Sequence, residues 1–222
     1  MSPQAFEGFL DSQDIWCQIF ERGSLQQSQQ QRRPALFLDR DGVIVEEVLY
    51  LHRVPDVAVI PGAAVTIAQA NRRGVPVVVI SNQAGIGRGY YGWKDFQDVQ
   101  QVIINSLDRL GAHVDAVLAC PHHPSGVGSY AHPAHPDRKP QPGMLLRAAE
   151  ALHIDLESSW VIGDKASDLL AGRAAGLRGG VLVLTGHGPA HRDAATALRT
   201  SEFEILFANS IGDVSMLIPL LA

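Results

Sequence analysis

From Pro34 onward, short apolar runs rich in β-branched residues alternate with longer stretches whose apolar residues recur at helical spacing. The short runs predict strands at Ala35–Asp39, Val75–Ser81, Val114–Ala119, Ser159–Gly163, Gly180–Leu184 and Ile205–Ala208. The longer stretches predict helices at Gly62–Arg73, Trp93–Leu110, Pro142–Leu152, Ala166–Ala175 and Ile211–Leu220. Such alternation is typical of a parallel sheet covered by helices on both faces. The pattern therefore predicts an α/β fold, a three-layer sandwich around a parallel sheet.

Residues 1–33 stand outside this alternation and are predicted to form an N-terminal extension and linker ahead of one domain over residues 34–222. Ile15, Trp16, Ile19 and Phe20 could form one face of a short amphipathic helix. The polar, Gln-rich stretch over residues 26–33 is typical of a linker. Two interpretations of the extension remain open, a flexible tail and a docking or dimerisation segment.

Composition narrows the classes of function. The chain of 222 residues is 46% hydrophobic, enough apolar material for one α/β core. A net charge of −5 speaks against a nucleic-acid partner or an anionic membrane surface. Two cysteines far apart, Cys17 and Cys120, do not make a disulfide framework. The apolar runs are too short to span a bilayer, and the N-terminus lacks a secretory pattern. We expect a cytoplasmic monomer or small homo-oligomer.

Acidic residues follow two of the predicted strands. Asp39 and Asp41, with Gly42, come after the first strand, and Asp164 follows a later strand with Asp168 one helical turn beyond. Taken alone, the first pair is as well explained by a turn, and the spacing does not fit an EF-hand. Together, clustered carboxylates at the carboxyl edge of a parallel sheet require a cation, and Mg²⁺ is the natural one for oxygen ligands.

Groups suited to a phosphate follow other predicted elements. Ser81 and Asn82 end the second strand, and Arg138-Lys139 precede a helix. A hydroxyl and backbone N–H groups can bond phosphoryl oxygens, lysine adds a point charge, and arginine can grip an anion with two hydrogen bonds. The combination indicates a phosphoryl-transfer site.

Asp39-x-Asp41, Ser81, Lys139 and Gly163-Asp164-x-x-x-Asp168 resemble, in order, the four motifs of the haloacid dehalogenase (HAD) superfamily. Within it, the resemblance is closest to the branch of heptose 1,7-bisphosphate and histidinol-phosphate phosphatases. It is carried by Asp-Arg-Asp-Gly at 39–42, Ser-Asn-Gln-Ala-Gly-Ile-Gly-Arg-Gly-Tyr at 81–90, Cys-Pro-His-His-Pro at 120–124 and Arg-Lys-Pro-x-Pro-Gly-Met at 138–144. The similarity covers residues 34–185.

The resemblance implies specific roles. Asp39 would be the nucleophile that forms an aspartyl-phosphate, and Asp41 the general acid and base. Ser81 and Lys139 would stabilise the phosphoryl group, and Asp168 would support the site. Mg²⁺ would be held by Asp39, the backbone carbonyl of Asp41, and Asp164. The substrate-binding residues implied are Glu47, Tyr50, Asn82, Gln83, Ala84, Arg138 and Lys165.

The resemblance also implies a Rossmann-like sheet without a large cap domain, and a small phosphorylated sugar as the substrate. It favours D-glycero-D-manno-heptose 1,7-bisphosphate, cleaved at the 7-position. Histidinol phosphate or another small phosphomonoester is the alternative, and a non-catalytic phosphosugar-binding protein is a third hypothesis. His187 and His191 lie beyond the matched motifs and are expected at the surface.

The loop over residues 120–137 is rich in histidine and proline. In the family this loop carries a structural zinc ion bound by Cys-x-His and Cys-x-Cys. The present chain keeps Cys120 and His122 but has His135 and Asp137 in place of the later cysteines, with His123 and His132 as further candidates. Since Cys, His and Asp all bind zinc, the resemblance predicts a structural Zn²⁺ site at Cys120, His122, His135 and Asp137.

Overall fold

An eight-stranded sheet forms the centre of the computed structural model, which describes residues 8–20 and 32–222. In chain order its strands are β1 (Phe9–Leu10), β2 (Trp16–Ile19), β3 (Leu36–Leu38), β4 (Val77–Asn82), β5 (Ala116–Cys120), β6 (Trp160–Gly163), β7 (Gly179–Val183) and β8 (Glu204–Ala208). Across the sheet the order is β1-β2-β5-β4-β3-β6-β7-β8. Strands β3 to β8 are parallel, which confirms the predicted α/β fold.

Helices cover both faces of this sheet. They are α1 (Ala63–Arg72), α2 (Ala84–Gly87), α3 (Trp93–Arg109), α4 (Gly143–Leu152), α5 (Ala166–Ala174) and α6 (Gly188–Thr196). Short 3₁₀ turns lie at Val54–Asp56, Gly128–Tyr130, Ile211–Met216 and Pro219–Leu221. One apolar core lies between the sheet and α1, α3 and the C-terminal turns, and a second lies between the sheet and α4, α5 and α6.

The central strand shows why the sequence pattern was informative. Leu36 and Leu38 of β3 pack into the first core and Phe37 into the second, and all three are fully buried. A strand buried on both faces needs an apolar residue at every position, so it reads as an unbroken apolar run.

The predicted N-terminal helix is wrong. Trp16–Ile19 is instead strand β2, in which Trp16 pairs antiparallel with Ala119 and Ile19 with Ala116. Burial alternates along it, with Trp16 and Gln18 buried, which is the period of a strand. Without β2, strand β5 would leave a row of backbone groups unpaired at the sheet edge.

Residues 1–7 and 21–31, with most of the predicted linker, lie outside the described residues. The domain division at residue 33 stays a prediction. The described part of the extension forms strands of the same sheet as the rest of the chain.

The C-terminal helix predicted over residues 211–220 is also wrong, because two 3₁₀ turns stand in its place. Ile218, between them, is extended, since the ring of Pro219 disfavours a helical conformation in the preceding residue. Helix α6 was not predicted. Pro189 lies in its first turn, where a missing N–H costs no hydrogen bond.

Candidate active site

The carboxyl ends of three neighbouring parallel strands bring the predicted catalytic residues together. Asp39 follows β3, Ser81 lies at the end of β4, and Asp164 follows β6. The cleft above them is lined by Asp39, Asp41, Glu47, Tyr50, Ser81, Asn82, Gln83, Ala84, Lys139, Lys165, Asp168 and His187, among others. Sequence reasoning placed all of these in the site except His187. The segment between β3 and α1 contains one 3₁₀ turn, Val54–Asp56, and no further domain, so loops border the cleft.

Lys139 is the buried positive charge of the site. Its Nζ lies 2.9 Å from Asp39 Oδ1 and 2.8 Å from Asp168 Oδ1, and it donates a hydrogen bond of 2.8 Å to the carbonyl oxygen of Ile80. Burial alone would lower the pKa of Lys139, but the carboxylates of Asp168 and Asp39 outweigh it and raise that pKa. Lys139 is therefore fully charged at neutral pH and faces the nucleophile position.

Asp39 is held on one side. Its Oδ1 accepts the backbone N–H of Arg40 at 2.8 Å as well as the Lys139 ion pair. The hydrogen bonds found among the described residues all use Oδ1, which leaves Oδ2 for a reacting atom or a cation. An oriented carboxylate with one free oxygen is what nucleophilic attack on phosphorus requires.

Asp164 has one oxygen that accepts no hydrogen bond. It is fully buried, and its Oδ2 accepts the backbone N–H of His187 at 2.8 Å. Its Oδ1 has no hydrogen-bond partner among the described residues, and the partly exposed Lys165 Nζ lies 3.5 Å from it as an ion-pair partner. Burial and the nearby Asp39 raise the pKa of Asp164 to about 6. A buried oxygen of this kind is costly unless a cation or donor meets it.

A magnesium ion fits this arrangement. Asp39, Asp164 and Asp168 each offer an oxygen, and these atoms lie within 4.8 Å of one another. Burial, followed by Asp39, raises the pKa of Asp168 to about 6 in spite of its ion pair with Lys139. Three buried acids face one buried lysine, Lys139, and one partly exposed lysine, Lys165. This leaves an excess of negative charge, which a divalent cation with oxygen ligands would balance.

Gly42 lets the backbone approach Asp164. A Cβ at residue 42 would lie 2.5 Å from Asp164 Oδ2, and the φ of +81° favours glycine. The glycine of the Asp-x-Asp-Gly motif is thus required both by its conformation and by the space that the carboxylate occupies.

Arg40 is a site residue that sequence reasoning missed. Its side chain is almost fully buried, and it donates to both oxygens of Asp41, from Nε at 3.1 Å and from Nη2 at 3.0 Å. Gln83 Nε2 lies 3.4 Å from Asp41 Oδ2. These contacts orient Asp41 at the cleft wall, where 19% of its side chain is exposed. The sequence feature that could have identified Arg40 is its position between two acids at the end of a buried strand.

Two of the predicted substrate residues have other partners. Asn82 bonds the backbone of Lys139 in both directions, at 2.9 and 3.0 Å, and so fixes that loop. Arg138 lies outside the main cleft and lines an adjoining one that also contains Asn82, Lys139 and Lys165. The side chain of Arg138 donates to the carbonyl oxygen of His122 at 3.0 Å.

Glu47, Lys165 and His187 form one wall of the cleft. Glu47 Oε2 lies 3.3 Å from Lys165 Nζ and 3.5 Å from His187 Nε2. The side chain of His187 is 49% exposed, as expected of a surface residue, yet it borders the site. His187 caps the first turn of α6, and since that helix was not predicted, no sequence pattern placed His187 at the site.

The predicted zinc ligands do not form a four-ligand site. The rings of His122 and His135 stack with centroids 3.8 Å apart, but both oxygens of Asp137 are bonded to Arg147, at 2.7 and 2.9 Å. Among residues 8–20 and 32–222, the side-chain groups able to share a metal ion are Asp39/Asp164/Asp168 and Glu47/Asp164/His187, which include none of the loop residues. A guanidinium beside Asp137 opposes a second cation there.

Several known proteins are similar to this chain. Residues 137–212 match a family model described as HAD-hydrolase-like. The chain is 49% identical over 150 residues to the D-glycero-beta-D-manno-heptose-1,7-bisphosphate 7-phosphatase of Mesorhizobium japonicum, covering 68% of this chain and 69% of that one. It is 38% identical over 153 residues to the protein of the same name from Escherichia coli K12, covering 69% and 80%.

Solved structures extend the similarity to the fold. The crystal structure of a HAD-like phosphatase from Mesorhizobium loti has a TM-score of 0.81 at 36% identity, covering 99% of this chain and 95% of that one. That of D,D-heptose 1,7-bisphosphate phosphatase from B. bronchiseptica, complexed with magnesium and phosphate, has a TM-score of 0.71 at 27% identity, covering 82% and 95%.

Proposed function

Because the chain belongs to the HAD-like phosphatase family that includes the heptose-1,7-bisphosphate 7-phosphatases, we propose that it removes the 7-phosphate of a D-glycero-D-manno-heptose 1,7-bisphosphate. Membership makes it a hydrolase of phosphoric monoesters of the magnesium-dependent kind. The choice of heptose rests on the names of its relatives and on the motifs it shares with them.

One observation carries the proposal. Asp39, Lys139 and Asp168 form a buried ion-pair network at the end of the central strand, and beside it lies an oxygen of Asp164 that accepts no hydrogen bond among the described residues. The network holds the nucleophile, Asp39, and the positive charge of Lys139 in fixed positions at the same cleft. A charge already in position can stabilise the charge that develops on the phosphoryl group without any rearrangement of the protein.

In the first step, Asp39 Oδ2 attacks the phosphorus atom. A bond forms between this oxygen and phosphorus, the bond between phosphorus and the sugar oxygen breaks, and Asp41 gives its proton to the departing oxygen. Lys139 Nζ, 2.9 Å from Asp39 Oδ1, and the hydroxyl of Ser81 bind the equatorial phosphoryl oxygens as charge spreads over them.

In the second step, Asp41 takes a proton from a water molecule whose oxygen attacks the aspartyl-phosphate. The bond between phosphorus and Asp39 breaks, inorganic phosphate leaves, and both acids return to their starting states. Between the two proton transfers Asp41 is a carboxylate, and Arg40 holds it in the cleft in that state by donating to both of its oxygens.

Asp39 and Asp164 side chains, with the backbone carbonyl of Asp41, would hold Mg²⁺, which supplies charge that polarises the phosphoryl oxygens. Glu47, Tyr50, Gln83, Ala84 and Lys165 line the space for the sugar. Arg138, which lines the adjoining cleft together with Lys165, would bind the second phosphate of the substrate.

A substrate panel tests the proposal. Phosphate release from the two anomers of heptose 1,7-bisphosphate, fructose 1,6-bisphosphate and histidinol phosphate would be measured with Mg²⁺. We expect the largest kcat/KM with a heptose bisphosphate and no release from its 1-position. A faster reaction with histidinol phosphate would contradict the substrate assignment.

The nucleophile needs its own control. Acid quenching of the enzyme during turnover of a substrate labelled at the 7-phosphate should trap label on the protein, and the Asp39→Asn variant should trap none and hydrolyse nothing. Undiminished hydrolysis by Asp39→Asn would remove the assignment and favour a different catalytic site.

A further inference from the structure

The N-terminal segment reaches the loop that borders the substrate site. Residues 11–16 lie over the base of loop 120–139. They bond to it at His122 and Ser129, and they also bond Arg147 on α4, which in turn bonds Asp137. We call residues 11–16 together with Arg147 the N-terminal clasp. Its contacts occupy His122 and Asp137, two of the four groups that the family pattern assigns to a metal ion.

Arg147 is the centre of the clasp. Its guanidinium donates to both oxygens of Asp137 at 2.7 and 2.9 Å, to Asp11 Oδ2 at 2.7 Å, and to Gln13 Oε1 at 2.5 Å. Of the residues bonded to Arg147, Asp137 lies deepest, with 2% of its side chain exposed. The side chain of Arg147 itself is 37% exposed. The planar fork of arginine suits this paired recognition of carboxylates.

A second contact links the clasp to the substrate side of the loop. His122 Nε2 lies 2.8 Å from the carbonyl oxygen of Gln13, and the carbonyl oxygen of His122 accepts a hydrogen bond of 3.0 Å from Arg138. Arg138 also donates its backbone N–H to His135 at 3.0 Å. A continuous chain of hydrogen bonds thus runs from Gln13 to the residue next to Lys139.

The segment is itself firmly attached to the sheet. Asp11 Oδ1 accepts the backbone N–H groups of Gln13 and Ile15, which fixes the turn before β2. Ile15 is 1% exposed, and the ring of Trp16 stacks on Trp93 with centroids 5.8 Å apart. The clasp therefore has a rigid base from which to hold a loop.

We infer that the N-terminal clasp holds loop 120–139 in place of a zinc ion, and that Arg147 is a positioning residue for Arg138. The loop is rich in proline, and its internal backbone hydrogen bonds are those of turns and of one bridge between His123 and Ala131. Side-chain contacts from outside the loop therefore add to its support. An arginine bonded to two carboxylates provides that support without metal. The kinetic part of the inference rests on the proposed function, and the structural part does not.

Metal content and melting test the structural part without any substrate. The full chain, purified without added metal, should contain far less than one zinc per chain, and a zinc chelator should leave its Tm unchanged. His122 Nδ1 is buried without a hydrogen-bond partner among the described residues, so it is a loop nitrogen still available to a zinc ion. One zinc per chain, with a fall in Tm on chelation, would overturn the inference.

Variants of the clasp test the positioning role. Arg147→Ala should lower Tm by roughly 2–4 °C and raise KM for a sugar bisphosphate by about three- to tenfold, with kcat within about twofold. Arg147→Lys should restore part of the KM, since it keeps the charge. Asp11→Asn keeps an oxygen for the N–H groups of Gln13 and Ile15 and replaces the oxygen that Arg147 contacts. It should shift KM in the same direction, and it serves as the test where Arg147→Ala folds poorly.

The matched control is Arg109→Ala, an exposed arginine at the end of α3. It should leave KM and Tm close to those of the unmodified chain. If Arg147→Ala and Arg109→Ala behave alike, the clasp does not position the loop. If no sugar bisphosphate is hydrolysed at all, the proposed function fails, while the zinc and melting results still decide the structural part.

Discussion

At the scale of single residues, the site depends on how closely a backbone can approach a buried carboxylate. Gly42 and Gly74 both have positive φ, +81° and +67°, but only at Gly42 would a Cβ meet Asp164. A Cβ at Gly74 would have no atom within 4 Å. The two glycines therefore separate the cost of backbone strain from the cost of disturbing the metal site.

Gly42→Ala and Gly74→Ala make a matched pair. Each should lose about 1–2 kcal/mol of stability from the left-handed backbone conformation. Only Gly42→Ala should also weaken magnesium activation, by at least about tenfold, because its methyl group displaces Asp164. Activity titrated against Mg²⁺ checks this. Equal magnesium dependence in the two variants would argue against Asp164 as a ligand.

At the scale of elements, β2 changes the edge of the sheet. The prediction of a helix there followed from apolar spacing that a helix and a strand share over a few residues. Contacts with residues distant in sequence decide between helix and strand here. Strand β2 pairs with β5, and Trp16 packs against Trp93 and Phe96.

Trp16→Ala should therefore destabilise the protein by about 3 kcal/mol, a fall in Tm of roughly 6–12 °C for a chain of this length. The indole N–H of Trp16 has no hydrogen-bond partner among the described residues, so the loss is one of packing. Phe9→Ala is the control, because Phe9 in the neighbouring strand is 59% exposed and should cost little. Comparable losses would mean that β2 does not dock as described.

At the scale of the whole molecule, the fold places more negative charge in the active site than its positive groups compensate. In the metal-free protein, burial and Asp39 raise the pKa of Asp164 to about 6, from 3.8. The folded protein then binds a proton more tightly than the unfolded chain. The resulting stability is present below about pH 4 and is lost as pH rises from about 4 to 6.

Thermal melting with a chelator, from pH 4 to 7, checks this linkage. Relative to Asp164→Asn, the unmodified chain should lose stability as pH rises across that window. Added Mg²⁺ binds the ionised acids, so it should raise the Tm of the unmodified chain more at pH 7 than at pH 5 and leave Asp164→Asn almost unchanged. If Mg²⁺ raised the Tm of Asp164→Asn as much as that of the unmodified chain, the ion would bind elsewhere.

Other properties of the whole molecule remain predictions. No helix in residues 8–20 or 32–222 is long and apolar enough to cross a membrane. The cytoplasmic location and the monomeric or small oligomeric state stand as sequence-based expectations.

The sequence by itself determined the parallel strands and the carboxylate and hydroxyl groups at their carboxyl ends, on which the proposed Mg²⁺ chemistry rests. These features are local: an apolar run fixes a strand, and the polar residue that ends it is placed at the carboxyl edge of the sheet. Asp39, Ser81 and Asp164 could be found in this way because each directly follows or ends a strand.

Only the tertiary structure decided what covers β5, where His187 lies, and what holds loop 120–139. Asp11 and Arg147 are far apart in sequence yet lie 2.7 Å apart. No local pattern indicates such a pair. The partner of each charged group depends on which other polar groups the fold brings close to it and leaves without a hydrogen bond. The zinc prediction differed from the structure for the same reason, since the nearest partner of Asp137 comes from a helix beyond the motif.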